Sequence, residues 1–295
     1  MKRGYTTFVG IDLGGARGKT TAVAVIDATG GESDQAVVQN VSPRANEEPW
    51  TDDALLALIE SLDNPCVAID APLTVPACIR CVRPTCPGQR LCEDTATMWL
   101  EARGAELAQS TALADENRIA ITSNASVGFS GESSEPTRAP SSGLFPYVHR
   151  CTEVELHYAR GVYPRQRVGQ GAGPVANRAR HLARRLESNN FVLNDNLIEV
   201  SPRATVAALF GDALARGYKR DADPWQTRAT ILENIGVELR FAARSRLSRE
   251  QCLANDNCFE ALLSAFTAYL YAKDGWTMPD GPFEIDGWIW APERR

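Results

Sequence analysis

The stretch from Val9 to Asp27, VGIDLGGARGKTTAVAVID, decides the fold. An apolar run ends at Asp12, a glycine-rich segment follows, and a second run alternates threonine, alanine and valine. Two such runs on either side of a glycine-rich segment predict antiparallel β-strands joined by a turn. We expect the glycines of this segment to adopt the positive φ values that the turn requires; they are Gly14, Gly15 and Gly18. The hairpin would leave the carboxylate of Asp12 at its mouth.

The same segment contains Gly18-Lys19-Thr20, which is typical of a nucleotide-binding P-loop. That motif also needs a glycine five residues before Gly18 and a helix after the threonine. Position 13 is leucine, and the residues after Thr20 have the composition of a strand. We therefore assign the chemistry to Asp12 and give Lys19 at most a contact with a substrate phosphate.

Composition and charge limit the classes of function. The chain has 295 residues, 44% of them apolar, and a net charge of −6. No apolar run approaches the ~18 residues that span a bilayer, and no signal peptide is visible, so we expect a cytoplasmic protein without a membrane partner. Because the net charge is negative, nucleic acid would have to bind at a local basic patch.

One arginine-rich segment, His149 to Arg185, is a candidate for such a patch. It contains eight arginines and two acidic residues. A solvated helix face with ion pairs is an equally good interpretation. If the segment does bind nucleic acid, Arg150 and Arg165 are candidates for substrate phosphate contacts.

The rest of the pattern predicts an α/β fold in one domain, residues 1–295. Residues 74–190 form an irregular insertion with a cysteine cluster, a Ser-rich loop and the arginine-rich segment. After the hairpin we predict the following elements: a strand at 36–41, a helix capped by Thr51, a strand ending at Asp70, a strand at 196–201, a helix from Pro202 to Gly217, a helix begun by Asp223-Pro224 and ended by Gly236, a helix at 252–272, and a final short strand in DGWIWAP.

Several acids are placed to form a cluster. Asp12 and Asp70 each follow an apolar run, so neighbouring strands would bring both to one end of the sheet. Asp256 and Glu260, four residues apart, share one flank of the last long helix. Carboxylates in one place repel each other unless divalent cations bind, and Mg²⁺ or Mn²⁺ suits oxygen ligands. Two such ions ~4 Å apart can drive phosphodiester hydrolysis, although for Asp256 alone a solvated helix end is the simpler interpretation.

Four cysteines follow Asp70 closely, in the order Cys78-x2-Cys81-x4-Cys86-x5-Cys92. Four thiolates at such spacing, with proline and glycine between them, can close a tetrahedral site. Zinc is the first expectation, and a 4Fe–4S cluster, which also takes four thiolates, is the alternative. We expect this cysteine cluster to lie at the rim of the carboxylate site.

Five motifs, GIDLGG, AIDAPL, IEVSPRA, NDNCFEALLSA and DGWIWAP, together resemble an uncharacterised bacterial and archaeal family of predicted nucleases with an RNase H fold. The resemblance implies a mixed sheet, with antiparallel hairpin strands plus parallel strands, flanked by helices. By similarity, Asp12, Asp70 and Glu260 match the acidic positions of the family, and Glu199 matches a further one. Family members more often have aspartate at the position of Glu260.

Three functions follow as hypotheses. The first is a divalent-metal-dependent nuclease that hydrolyses DNA or RNA. The second is an ATPase or phosphotransferase of the actin and sugar-kinase type, which also opens with such a hairpin but needs a second phosphate hairpin and an adenosine-binding motif; we find neither after residue 190. The third is a non-catalytic module that binds nucleic acid or protein and carries a structural metal.

Overall fold

The computed structural model describes residues 1–15, 20–29, 35–108, 144–160, 173–243 and 245–294. These ranges form an α/β fold around a mixed sheet of seven strands. The strands are β1 (Thr7–Asp12), β2 (Ala22–Asp27), β3 (Ala36–Ser42), β4 (Arg44–Ala45), β5 (Glu48–Pro49), β6 (Pro65–Asp70), β7 (Leu197–Val200), β8 (Leu239–Phe241) and β9 (Ile289–Trp290). Strands β4 and β5 pair separately as a two-stranded ribbon.

Helices flank the sheet. They are α1 (Asp52–Glu60), α2 (Ala77–Arg80), α3 (Thr95–Ala108), α4 (Cys151–Arg160), α5 (Gly173–Glu187), α6 (Pro202–Phe210), α7 (Asp212–Arg220), α8 (Pro224–Ile235), α9 (Arg246–Ala254), α10 (Asp256–Asp274) and α11 (Phe283–Asp286). Within the described ranges, none of these helices combines the length and apolar character needed to cross a membrane.

The strand order of the large sheet is β8-β3-β2-β1-β6-β7-β9. Strands β1, β2 and β3 pair antiparallel, and β6, β7 and β9 continue the sheet parallel to β1. This confirms the predicted combination of a hairpin with parallel strands. Asp12 and Asp70 occupy paired register positions at the same end of the sheet.

The two faces of the sheet are covered by different helices. Phe8 belongs to the core cluster that α10 contributes to, whereas Val9 and Ile11 belong to the cluster formed with α1 and α5. Because side chains alternate along a strand, Asp12 lies on the same face as Phe8. Its carboxylate therefore lies on the side of α10.

Helix α10 approaches β1 as closely as two backbones allow. A Cβ added to Gly10 would lie 2.1 Å from the carbonyl oxygen of Ala261 and 2.2 Å from the amide nitrogen of Ala265. No side chain fits in that space, so glycine is required at this point of the strand. The residue before Ala261 is Glu260, and this contact brings its helix turn against the strand that ends at Asp12.

Two predicted helices have different limits in the structure. The helix expected to run from Pro202 to Gly217 stops at Gly211, whose φ of +87° only glycine adopts readily, and α7 begins directly after it. The last long helix starts at Asp256 rather than residue 252. The side chain of Asn255 accepts hydrogen bonds from the next turn and caps it there.

Gly15 of the hairpin has a steric role that differs from the predicted one, whereas Gly18 lies outside the described residues. The φ of Gly15 is outside the left-handed region, and a Cβ there would lie 2.3 Å from the Cα of Val175 in α5. From the same helix, the Arg178 guanidinium donates to the carbonyl of Gly14 and, over 2.9 Å, to the hydroxyl of Thr21. Helix α5 thus holds the hairpin from one side.

Replacement of Gly10 by alanine tests this packing. We expect Gly10→Ala to lower the free energy of unfolding by about 2–3 kcal/mol, because the new methyl group must push α10 away from β1. Gly4→Ala is the matched control, since nothing lies within 4 Å of its added Cβ; it should change stability by about 0.5 kcal/mol at most. Urea unfolding followed by circular dichroism measures both, and equal stability of the two variants would contradict the packing argument.

Candidate metal centre

Three carboxylates converge at the end of the sheet. Asp12 ends β1, Asp70 ends β6, and Glu260 lies in the second turn of α10. One carboxylate oxygen of each lies within 4.8 Å of the other two. Among the described residues this is the only group of three or more histidine, cysteine or acidic side chains with ligand atoms so close. The structure thus brings together three of the predicted acids, which we call the carboxylate cluster.

The Asp12 carboxylate has the most unfavourable environment of the three. The residue is 9% exposed, and within the described ranges its carboxylate has no hydrogen bond or ion pair. Burial, followed by the negative charges of Glu260 and Asp70, raises its pKa well above the usual value, and Lys219 offsets this only in part. A buried, unpaired carboxylate among like charges is a position at which a cation would bind favourably.

Glu260 is held by two residues of α7. The Tyr218 hydroxyl donates to Oε1 over 2.8 Å, and the Lys219 ammonium donates to Oε2. Burial alone would lower the pKa of Lys219, but Glu260, Asp70 and Asp12 raise it, so the side chain stays charged. Lys219 Nζ also lies 3.8 Å from Oδ2 of Asp256, which is half-exposed at the start of α10. The predicted proximity of Asp256 and Glu260 on one helix flank is confirmed by this shared partner.

Sequence reasoning missed Tyr218 and Lys219. It placed the end of a helix at Gly217, and therefore treated the next two residues as a loop. The signal that could have found them is Gly211 followed by Asp212, since glycine ends helices and an acid is favoured in the first turn. The extra break redirects the chain so that α7 meets α10 at Glu260.

Glu199, the fifth predicted acid, lies in a separate buried network. Its two oxygens accept hydrogen bonds from the Arg150 guanidinium over 2.7 and 2.8 Å, and one also accepts from the Leu73 amide. Arg150 binds Glu153 as well. Burial, only partly offset by Arg150, raises the pKa of Glu153. Two carboxylates thus share one guanidinium in the interior.

One of the predicted phosphate contacts, Arg150, is buried in the interior. Arg150 is 1% exposed, and its donors are bound to Glu153, Glu199 and the Thr74 hydroxyl. In this arrangement Arg150 positions Glu199 rather than meeting a phosphate, because no donor of its guanidinium faces solvent. Lys19 and Arg165 lie outside the described residues.

A cavity of about 60 Å³ adjoins the cluster. Its lining includes two members of the cluster, Glu199 and three cationic residues; these are Asp70, Glu260, Glu199, Arg150, Arg203 and Lys219. A water needs roughly 10–15 Å³ of such volume, so the space holds about four. The cluster therefore opens into a small polar cavity that carries both signs of charge.

The four cysteines of the cysteine cluster are free thiols that differ in exposure. Cys78, Cys81 and Cys86 are exposed free thiols, and Cys92 is half-buried. Burial, followed by Cys86, Cys92 and Cys81, raises the pKa of Cys78, so the other three thiols lie within electrostatic reach of Cys78. Their sulfur atoms are not among the ligand atoms that lie within 4.8 Å of one another in the described residues, which belong to the carboxylate cluster alone. The remaining four cysteines are buried, as expected for small apolar residues; they are Cys66, Cys151, Cys252 and Cys258.

No protein-family model, curated protein or solved structure matches this chain significantly. The resemblance of its five motifs to predicted nucleases therefore stays an expectation. The structural features that bear on function are the carboxylate cluster, its cationic neighbours and the adjoining cavity.

The charge repulsion at Asp12 predicts a pH-dependent cost in stability. The pKa of Asp12 is higher in the folded protein than in the unfolded chain, where it is about 3.9. The stability cost is therefore absent below about pH 3.9 and grows as the pH rises from there through the pKa of Asp12 in the folded protein. In metal-free buffer at pH 8, Asp12→Asn should therefore unfold with a free energy higher than the wild type by on the order of 1 kcal/mol. The difference should disappear towards pH 4.

Urea unfolding at several pH values, in the presence of EDTA, measures this effect. Asp63→Asn changes an exposed aspartate and is the control; its stability should follow that of the wild type at every pH. If Asp12→Asn were less stable than the wild type at pH 8, the repulsion inferred for this site would be wrong.

Proposed function

We propose that the protein is a divalent-metal-dependent nuclease of RNase H-like fold that hydrolyses phosphodiester bonds of DNA or RNA. The observation that carries the proposal is the convergence of Asp12, Asp70 and Glu260 within 4.8 Å. The strand order β3-β2-β1-β6-β7, antiparallel before β1 and parallel after it, supports the fold that the sequence resemblance implies. The three acids occupy the positions that match the family.

The residues present fit Mg²⁺ or Mn²⁺. All three offer hard oxygen ligands, and opposite ligands on Mg²⁺ are about 4 Å apart, so a spread of 4.8 Å requires small side-chain shifts. The adjoining cavity has space for the waters that Mg²⁺ retains. A bound divalent cation supplies a water of lowered pKa and a positive charge for the leaving oxygen.

The chain itself orients these groups and supplies further positive charge. The sheet register aligns Asp12 with Asp70, and the Tyr218 hydroxyl fixes one oxygen of Glu260. Lys219 and Arg203 line the cavity, where their charges would attract the phosphate of a substrate. Binding, alignment and charge stabilisation are therefore available at one place.

The hairpin favours a nuclease over the ATPase alternative. An ATPase of the actin or sugar-kinase type would use the hairpin glycines to grip phosphate. Here Gly15 packs against Val175, and the carbonyl of Gly14 accepts from Arg178. Gly15 thus serves helix packing, which leaves Asp12 as the reactive feature among the described residues of the hairpin.

We propose further that the cysteine cluster binds zinc, with a 4Fe–4S cluster as the alternative, and that the protein works in the reducing cytoplasm. Supporting this are four free thiols, three of them exposed, with Cys81, Cys86 and Cys92 all within electrostatic reach of Cys78. The Cys78 amide donates to the carbonyl of Pro146 over 2.9 Å, in the segment that leads to Arg150. A metal at the cysteines would therefore stabilise one wall of the cavity.

Metal analysis tests the cysteine cluster. Protein purified without a tag should contain about one zinc per chain, because four thiolates complete one tetrahedral site. Cys81→Ser should lose most of it, since three thiolates leave the site open. Cys66→Ala, which changes a buried cysteine elsewhere, should keep it. Four irons per chain would support the alternative cofactor, and neither metal would refute the site.

A cleavage assay tests the nuclease function. Single- and double-stranded DNA and RNA are incubated with the protein in Mg²⁺ or Mn²⁺. Asp12→Asn and Asp70→Asn should each reduce the cleavage rate at least about 100-fold, because even residues that only orient metal ligands are worth 10–100-fold. Asp63→Asn, which changes an exposed residue before the start of β6 and thus at the opposite end of that strand from Asp70, should cleave at the wild-type rate.

Three outcomes would contradict the assignment. Cleavage that survives both Asp12→Asn and Asp70→Asn would place the activity elsewhere. ATP turnover without cleavage of any nucleic acid would support the ATPase alternative, and binding of nucleic acid without either activity would support a non-catalytic module.

A further inference from the structure

The position of Lys219 bears on how many ions the carboxylate cluster holds. Two-ion phosphodiester hydrolysis places its cations ~4 Å apart, bridged by shared carboxylates. Asp12 and Asp70 come from the ends of β1 and β6, whereas Glu260 and the neighbouring Asp256 come from α10, which we call the Glu260 side. A second ion would therefore need the oxygens on the Glu260 side.

That side already holds a positive charge. The Lys219 ammonium donates to Oε2 of Glu260 and lies 3.8 Å from Oδ2 of Asp256. The Tyr218 hydroxyl occupies the other oxygen of Glu260 over 2.8 Å. Both oxygens thus have a donor, while the Asp12 carboxylate, among the described residues, has none.

We propose that Lys219 takes the place of a second metal, so that the cluster binds a single divalent cation between Asp12, Asp70 and the remaining lone pairs of Glu260. The inference rests on the proposed metal-dependent function and replaces its two-ion form with one ion and one lysine. In this arrangement the ammonium supplies the charge that a second ion would otherwise offer to the phosphate.

Charge balance supports a single ion. Asp12, Asp70 and Glu260 together carry −3, Lys219 carries +1, and one divalent cation brings the sum to zero. A second divalent cation would leave +2 in a site where Asp12 is nearly buried, which is costly in a low-dielectric environment. Arg203 and Asp256 change this sum little, because their formal charges are opposite and the Asp256 side chain, 45% exposed, is screened by solvent.

Local structure holds the lysine in place. Lys219 lies near the end of α7, which Gly211 sets at a new angle to the preceding helix. Its side chain is 22% exposed, so the ammonium is directed into the protein rather than into solvent. The next residue back, Tyr218, is buried and packs against Phe259.

Counting bound Mn²⁺ tests the proposal without depending on cleavage. Zinc-loaded protein is titrated with Mn²⁺ by calorimetry, and free Mn²⁺ is followed by electron paramagnetic resonance. The wild type and Lys219→Arg, which keeps the charge, should each bind one Mn²⁺ per chain. Lys219→Met, which removes the charge at similar length, should bind two.

Two control variants define the baseline. Asp12→Asn should bind no Mn²⁺ at the cluster and thus reports ions bound elsewhere. Lys273→Met removes a lysine that is paired with Glu238 outside the cluster, and it should keep one ion. Thermal unfolding of each apo variant verifies that it is folded.

Two Mn²⁺ per wild-type chain, or one in folded Lys219→Met, would overturn the inference. If Lys219→Met does not fold, the wild-type and Lys219→Arg counts still decide. The outcome is distinct from that of the cleavage assay. One bound ion without cleavage would support this inference and contradict the proposed nuclease function. Cleavage with two bound ions would support the nuclease function and contradict this inference.

Discussion

The carboxylate cluster depends on one steric condition, the direct contact between the backbone of α10 and strand β1 at Gly10. Only a residue without a Cβ allows the carbonyl of Ala261 and the amide of Ala265 to come this close. Because the helix lies against the strand, Glu260 reaches the acid at the strand end. A larger residue at position 10 would separate the helix acid from Asp12, so the site is a consequence of core packing.

Electrostatics then determines which kind of ligand the packed site would bind. Bringing three carboxylates together near a buried strand end costs free energy, and the raised pKa of Asp12 reflects that cost. Lys219 offsets part of this free-energy cost, and a bound cation would offset the rest. The neighbouring network is balanced differently, with Arg150 serving two carboxylates through short hydrogen bonds. Unbalanced charge thus remains at the cluster, as is common at functional sites.

Short-range patterns made part of this site predictable. Apolar runs that end in an acid located Asp12 and Asp70, and parallel pairing of such strands aligns their ends. The helical period put Asp256 and Glu260 on one flank. The sequence predicts the helix end at Gly217, whereas the structure has it at Gly211, and for this reason the prediction missed Lys219. The pairing of Arg150 with Glu199 was also hidden, because nothing local connects residues so far apart in sequence.

The sequence by itself determined which segments form strands and helices, the hairpin, and the three acids, because each of these follows from the spacing of nearby residues. Only the tertiary structure decided which charges neutralise one another. It placed Lys219 on Glu260 and buried Arg150 against Glu199, rather than leaving it exposed. The physical reason is that electrostatic and packing energies depend on distance in space, and spacing along the chain specifies that distance only within a single helix or strand.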